Sequence, residues 1–229
     1  MRIVVTRAEP EASRTAARID AAGGTAILAP LLTIAPMPCT QNVGGVQALL
    51  FSSANGVRAF GDAPTGVIAL TVGDATASAA RNAGYRDVRS ADGDSRALAA
   101  LAIAELQPSA GKLIHISGAN IASDLCGELQ RAGFEAERRI AYEARAVDAL
   151  PQSLVRRLGT TPQSIDRVMF HSARAAEIFT RLARLEAKPL TAVCLSENVA
   201  KAASNAEWAH IIVAPRPRED ALLQAALTP

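Results

Sequence analysis

Short apolar runs, each too brief for a helix and closed by a hydroxyl residue or glycine, alternate along most of this chain with alanine-rich stretches of helical spacing. The pattern predicts strands at 3–5 and 25–28 around a helix over 12–22, with Gly23 and Gly24 ending the helix. From residue 48 it resumes as strand 48–52, a helix from 55, strand 67–72, helix 74–83, a strand at Asp87 and Val88, and helix 94–106. Strand 112–116, helix 121–132 and strand 134–138 complete this block. Helix 151–158, strand 165–170, helix 173–184, strand 190–195, helix 197–204, strand 210–213 and a helix from 218 close the chain.

The alternation breaks twice. Pro30, Pro36 and Pro38 punctuate one segment, which excludes a helix and favours an extended connector. In Arg139–Val147, Ile140 and Tyr142 alternate with small or polar residues, which predicts a second extended segment. The strands fall as five in the middle block and two plus three in its flanks. The expected fold is therefore α/β: two doubly wound parallel-sheet, flavodoxin-like domains, the second inserted into the first. The first domain is assigned to 1–31 plus 148–229 and the second to 39–138, with 32–38 and 139–147 as a two-stranded β connector.

One stretch is written twice. LLFSSANGVRAF, Leu49–Phe60, is echoed by VMFHSARAAEIF, Val168–Phe179, with Phe51, Ser53, Ala54 and Phe60 answering to Phe170, Ser172, Ala173 and Phe179. Each copy reads as a buried strand, a tight turn and a helix start, where unpartnered N–H groups and the helix dipole receive anions. A serine there also caps the helix, so one copy alone points no further than capping. Weaker echoes join Val72–Ala77 with Leu195–Ala200, and Val5–Arg7 with Ile116–Gly118. Together they suggest a duplication.

Composition narrows the partners. The 229 residues are 49% hydrophobic and 20% charged, as in an ordinary globular protein. A net charge of +2 and 3% aromatic residues offer neither a basic face nor base-stacking platforms, so nucleic acid is not expected. Cys39, Cys126 and Cys194 form no CxxC pair and suit free thiols in a reducing cytosol. His115, His171 and His210 show no metal-ligand spacing; structural roles are expected for all six residues, with no metal bound. No apolar run reaches the length of a membrane span, and a cytoplasmic monomer is the expectation.

In open α/β sheets ligands sit beyond the carboxyl ends of the strands. The loops there contain Thr6 and Arg7; Ser52, Ser53, Ala54 and Asn55; Gly73 and Asp74; Ser117, Gly118 and Ala119; Ser172, Ala173 and Arg174; Ser196 and Glu197. If the connectors turn both domains toward one cleft, these ends converge there. The set is rich in N–H donors and hydroxyls, while GxGxxG, a P-loop and a nucleophile elbow are all missing from the sequence. It suits a ligand with many carboxylates, because charge-assisted hydrogen bonds contribute roughly 1.5–3 kcal/mol each. Arg7, Arg58 and Arg174 either assist or remain solvated.

FSSANGV at 51–57, VVTRAEPEASRTAARIDAAGG at the start, TVGDATA at 71–77, SADGD at 90–94, Ala141–Tyr142 and CLSENVA at 194–200 together resemble uroporphyrinogen-III synthases over nearly the whole chain. The resemblance implies two α/β domains on a two-stranded β-ladder. It also implies a cofactor-free and metal-free enzyme acting on the linear tetrapyrrole hydroxymethylbilane, which carries eight carboxylates. Loss of its hydroxyl would give an azafulvene. Attack by the substituted α-carbon of ring D would give a spirocyclic pyrrolenine, which fragments and recloses with ring D inverted, yielding uroporphyrinogen III. Tyr142 matches the family's connector tyrosine, and the resemblance implies that its phenol assists the departing hydroxyl; spacing alone favours a packing tyrosine. Two stretches depart from the family pattern: Pro217-Arg218-Glu219-Asp220, where a threonine often follows the proline, and Ser117-Gly118-Ala119, where Arg-Gly-Glu is common. A two-domain protein that binds a small anion or tetrapyrrole without catalysis is the alternative.

Overall fold

Alternation of buried side chains decides which runs become strands and which face each residue serves. The computed structural model describes residues 1–121, 123–160, 165–183 and 190–228. In chain order it opens with β1 (Arg2–Val5), α1 (Glu11–Ala21), β2 (Thr25–Leu28), β3 (Leu32–Pro36), β4 (Val46–Phe51) and α2 (Ala54–Phe60). There follow β5 (Ile68–Thr71), α3 (Asp74–Asn82), β6 (Val88–Ser90), α4 (Ser95–Glu105), β7 (Lys112–Gly118), α5 (Leu125–Arg131) and β8 (Ala136–Ala146). Last come α6 (Gln152–Thr160), β9 (Arg167–Phe170), α7 (Ala173–Ala183), β10 (Thr191–Cys194), α8 (Glu197–Ala203), β11 (His210–Val213) and α9 (Glu219–Leu227). Residue 122 of the helix expected over 121–132, and residue 184 of that expected over 173–184, lie outside the described residues. The former helix starts only at Leu125, where Asp124 caps it by accepting from the Gly127 N–H.

The chain divides into unit 1, Met1–Thr33 with Arg145–Pro229, and unit 2, Ile34–Ala144. Unit 1 is built on the sheet β11-β10-β9-β1-β2, parallel throughout. Ile3, Val5, Met169 and Val193 face α1 and α9, where they meet Ala12, Ile19, Leu222 and Leu223. Val4, Val168, Phe170 and Ala192 face the other way, onto α6, α7 and α8. Unit 2 is built on β3-β8-β7-β4-β5-β6, in which β8, β7, β4, β5 and β6 are parallel. Leu50, Leu70 and Leu113 pack beneath α4 and α5, while Leu49, Phe51, Ile114 and Ile116 pack beneath α2 and α3.

The expected doubly wound parallel sheets are thus present in both units. β3 pairs with β8, and the bonds Met37 N–H to Ala141 C=O and Val147 N–H to Leu31 C=O make this ladder antiparallel. One difference concerns β8. The sequence pattern separates a strand at 134–138 from an extended segment at 139–147, whereas the structure runs one strand through both.

Strand order gives the repetition a geometric meaning. Position for position across each sheet, β9 matches β4, β10 matches β5, β11 matches β6, β1 matches β7 and β2 matches β8. The two sheets have the same spatial order, but the chain enters them at different strands, as in a circular permutation. The first two sequence echoes fall on matched strands and in register, since Phe51 stands opposite Thr71 and Phe170 opposite Cys194. The third falls on matched strands but one residue out: Ile116 stands opposite Phe51, whereas Val5 stands opposite Met169. Aromatic packing repeats as well. Phe51 meets Phe60 and Tyr85 edge-on, and Phe170 meets Phe179 and Trp208.

Candidate functional site

Each sheet has one place where consecutive crossovers leave in opposite directions, and the crevice there is the natural ligand position. In unit 2 it lies between β4 and β7. β4 ends at Phe51, and Ser52 and Ser53 make the turn into α2. Ser53 is extended and caps the helix, its Oγ accepting from the Gly56 N–H at 3.2 Å. The same oxygen lies 2.8 Å from the Tyr142 hydroxyl. Ser172 caps α7 in the matching way, accepting from the Ala175 N–H at 3.2 Å. The repeated serine is therefore a cap in both units, and in unit 2 it also holds a phenol.

A bulge delivers that phenol. Along the β7–β8 ladder Ser117 stands opposite Ile140, but the next residue, Gly118, stands opposite Tyr142. Ala141 is the extra residue. It sinks into the core under α2 and α3, and Tyr142 is carried over the end of β7. Gly118 makes the room: a Cβ there would lie 2.7 Å from Tyr142 Cζ and 3.0 Å from its oxygen. Arg138, also on β8, fixes the facing loop by donating to Ser117 Oγ at 2.8 Å and to the carbonyls of Gly118 and Ala119 at 2.6 and 2.7 Å. Gly56 likewise must lack a side chain, since a Cβ would stand 2.9 Å from the Ile116 carbonyl oxygen.

His115 completes the group. It is 3% exposed, inside β7, with Nε2 2.9 Å from Ser52 Oγ. Burial, reinforced by the Arg138 guanidinium, pushes the imidazole down to about 4, so it is neutral at physiological pH. Ser52, His115, Gly118, Asn120, Ser123 and Tyr142 line a cavity of about 180 Å³ at this point. A larger hollow of about 510 Å³, beside Val67, Ile68, Arg86 and Asp87, lies at the amino ends of β5 and β6 and lacks such a cluster of hydroxyls.

In unit 1 the corresponding crevice lies between β1 and β9. Arg7 Nη1 donates to Glu219 Oε2 at 2.5 Å, Thr15 Oγ1 to Glu219 Oε1 at 2.7 Å, and His171 Nε2 lies 2.9 Å from Glu219 Oε2. Burial alone would raise the Glu219 pKa, but the His171 hydrogen bond and charge, Arg7 and Thr15 outweigh it and bring it to about 2. Burial, helped by Arg7, holds His171 below its ordinary value against the pull of Glu219. In the stretch that departs from the family pattern, Arg218 is exposed and the inward-facing residue is Glu219.

The expected site residues are distributed as follows. Ser52, Ser53, Ser117, Gly118, Ala119 and Tyr142 gather at the unit 2 crevice; Ala54 opens α2, and Asn55 accepts from Arg58. Gly73 and Asp74 start α3 on the neighbouring strand's loop. Ser117 is 1% exposed and committed to Arg138 and the Gly118 carbonyl, so it shapes the loop. In unit 1, Arg7, Ser172, Ala173 and Arg174 flank the crevice, with Ser196 and Glu197 at the start of α8. Thr6 is wholly buried and donates to the Met169 carbonyl at 2.6 Å. The sequence reading did not single out His115, Arg138, Thr15, His171 and Glu219 for the site. The histidines had a weak signal, each being a lone imidazole, His115 within the apolar strand β7 and His171 just after β9. Among the described residues no helix is long and apolar enough to cross a membrane.

Comparison with known proteins agrees with this architecture. A structure of the uroporphyrinogen-III synthetase from Helicobacter pylori is similar at 17% identity with a TM-score of 0.66, over 99% of each chain. A mutant uroporphyrinogen III synthase from Thermus thermophilus is similar at 18% identity with a TM-score of 0.55, over 98% of this chain and 96% of that one. No curated protein matches significantly. The family model for uroporphyrinogen-III synthase HemD matches residues 13–224, and this chain belongs to that family.

Proposed function

We propose that this chain is a uroporphyrinogen-III synthase, an enzyme of heme biosynthesis. It takes linear hydroxymethylbilane, removes water, inverts ring D through a spirocyclic pyrrolenine and closes the macrocycle as uroporphyrinogen III, a cyclising hydro-lyase reaction. Family membership over residues 13–224 supports this reading, and the observation that carries it to named atoms is the Tyr142 hydroxyl seated on Ser53 at the start of α2. Ser53 Oγ accepts from the Gly56 N–H, and when its own hydrogen is donated to Tyr142 the phenolic O–H faces a ligand.

On this reading Tyr142 donates to the hydroxyl of the bilane as the C–O bond breaks. The backbone amides at the carboxyl ends of the strands, including those of Ser52, Ser53, Ala54 and Asn55, and of Ser172, Ala173 and Arg174, take the carboxylates. Arg7, Gly73, Asp74, Ser196 and Glu197 contribute to the same ends. The main work is positioning: unguided head-to-tail closure gives the other isomer, and holding reactants in a productive arrangement can remove up to about 7–11 kcal/mol of a barrier. The substrate is a small molecule, and the enzyme acts as a cytoplasmic monomer without metal or cofactor.

Tyr142→Phe tests the assignment. The substitution removes one hydroxyl and should lower the rate of type III formation roughly 10²-fold, within the usual range for a general acid, while circular dichroism and melting stay near wild type. A wild-type rate would remove Tyr142 from the mechanism.

A further inference from the structure

The reaction needs a proton at one point and releases one at another. Water leaves at the start, and a carbon-bound proton must leave at the end, when the unsubstituted α-carbon of ring D has formed the last bond and the ring regains its aromaticity. Tyr142 answers the first need and has no structural claim on the second. The same cavity holds a second hydroxyl of different standing. Ser52 Oγ lies 2.9 Å from His115 Nε2, within reach for direct proton transfer, and both residues line the hollow beside Tyr142.

We propose that Ser52 and His115 form the proton acceptor for the last step, with Ser52 meeting the ring D carbon and His115 acting through it. The assignment rests on the reading of the chain as a uroporphyrinogen-III synthase and adds a base to its acid. The electron pair of the breaking C–H bond stays in the pyrrole. The proton passes to Ser52 Oγ as the Ser52 hydrogen passes to His115 Nε2. Tyr142 has by then given one proton to the departing oxygen, so one imidazolium and one phenolate remain, and exchange through solvent returns both groups to their starting forms.

The surroundings favour this role. Ser52 comes from the β4–α2 turn and bonds the imidazole, Arg138 comes from β8, and Ser95, Ser123 and Tyr142 line the same hollow as the ring. Burial, with the Arg138 guanidinium second, keeps the ring unprotonated at neutral pH, so its nitrogen is open to a proton. A weak base is sufficient, because the carbon proton to be lost belongs to a cationic ring. Burial of His115 inside β7 holds the nitrogen in place on Ser52.

The test uses hydroxymethylbilane carrying deuterium at the unsubstituted α-carbon of ring D, turned over by the wild-type chain, Ser52→Ala and His115→Gln. Both variants should form type III product roughly 10²-fold more slowly, the usual scale for a lost general base, with a primary isotope effect larger than that of wild type, because proton loss has become the slow step. Ser52→Ala alters a half-buried turn residue and keeps the question answerable if His115→Gln fails to fold. Wild-type rates in the variants, or slowing with no added isotope effect, would overturn the relay while leaving the enzymatic reading intact. A wild-type chain that makes no type III product would remove the reading itself, and the relay with it.

Discussion

Gly118 and Tyr142 form a matched pair, and the match has a cost if either changes. Gly118→Ala should push the ring off its seat and cost roughly 1–3 kcal/mol as an overpacked contact, so type III formation should fall about as far as in Tyr142→Phe, with a lower melting temperature besides. Unchanged turnover in Gly118→Ala would separate the ring's position from its role. His115 gives a pH signature of its own. Its folded-state pKa of about 4 lies below the ordinary 6.5, so between those values the unfolded chain binds a proton that the folded chain refuses. Stability should therefore fall as pH drops from 6.5 toward 4, by up to about 3 kcal/mol from this residue. Denaturant titrations of wild type and His115→Gln across that window should differ in slope, and equal slopes would contradict the buried neutral imidazole.

At the scale of elements, α9 is seated by its first residue. Glu219 ties the helix to Arg7 beyond β1, to Thr15 on α1 and to His171 beyond β9. A carboxylate held near 2 contributes stability that is complete above its ordinary value of 4.5 and is lost as pH falls through the folded value. Glu219→Gln should remove up to about 3 kcal/mol at neutral pH and speed amide exchange in α9; unaltered exchange would show the helix to be held by Leu222 and Leu223 alone. The helices and most strands were legible because period and punctuation agree, as in α1 with Gly23 and Gly24 behind it. β8 was harder: its bulge at Ala141 breaks the alternation, so the pattern divides one strand into two segments. His115 was harder still. A histidine in an apolar strand reads alike whether it meets a backbone carbonyl or, as here, a serine in the turn after the neighbouring strand. Glu219 looks like any acidic residue opening a helix, and only the crossing of α9 over β9 and β10 brings it to Arg7.

For the molecule as a whole, the repeat in the sequence proves to be a repeat in space. Two sheets share one strand order, and each puts a serine-capped helix start at its switch point, where α/β sheets take ligands. Echoes between Phe51 and Phe170, and between Val72 and Leu195, were visible in the residues; the permuted entry was not, because strand order depends on which crossover goes which way. Both crevices carry hydroxyls, amides and an imidazole, yet only unit 2 has the phenol over glycine. Chemistry at the unit 2 crevice, where the phenol sits over glycine, is what this predicts. The most direct measurement is to supply freshly made hydroxymethylbilane to the purified chain, oxidise the products and separate the type I and type III porphyrins. The account predicts type III as the dominant isomer, rising with protein concentration; product that remains type I at every concentration would contradict it.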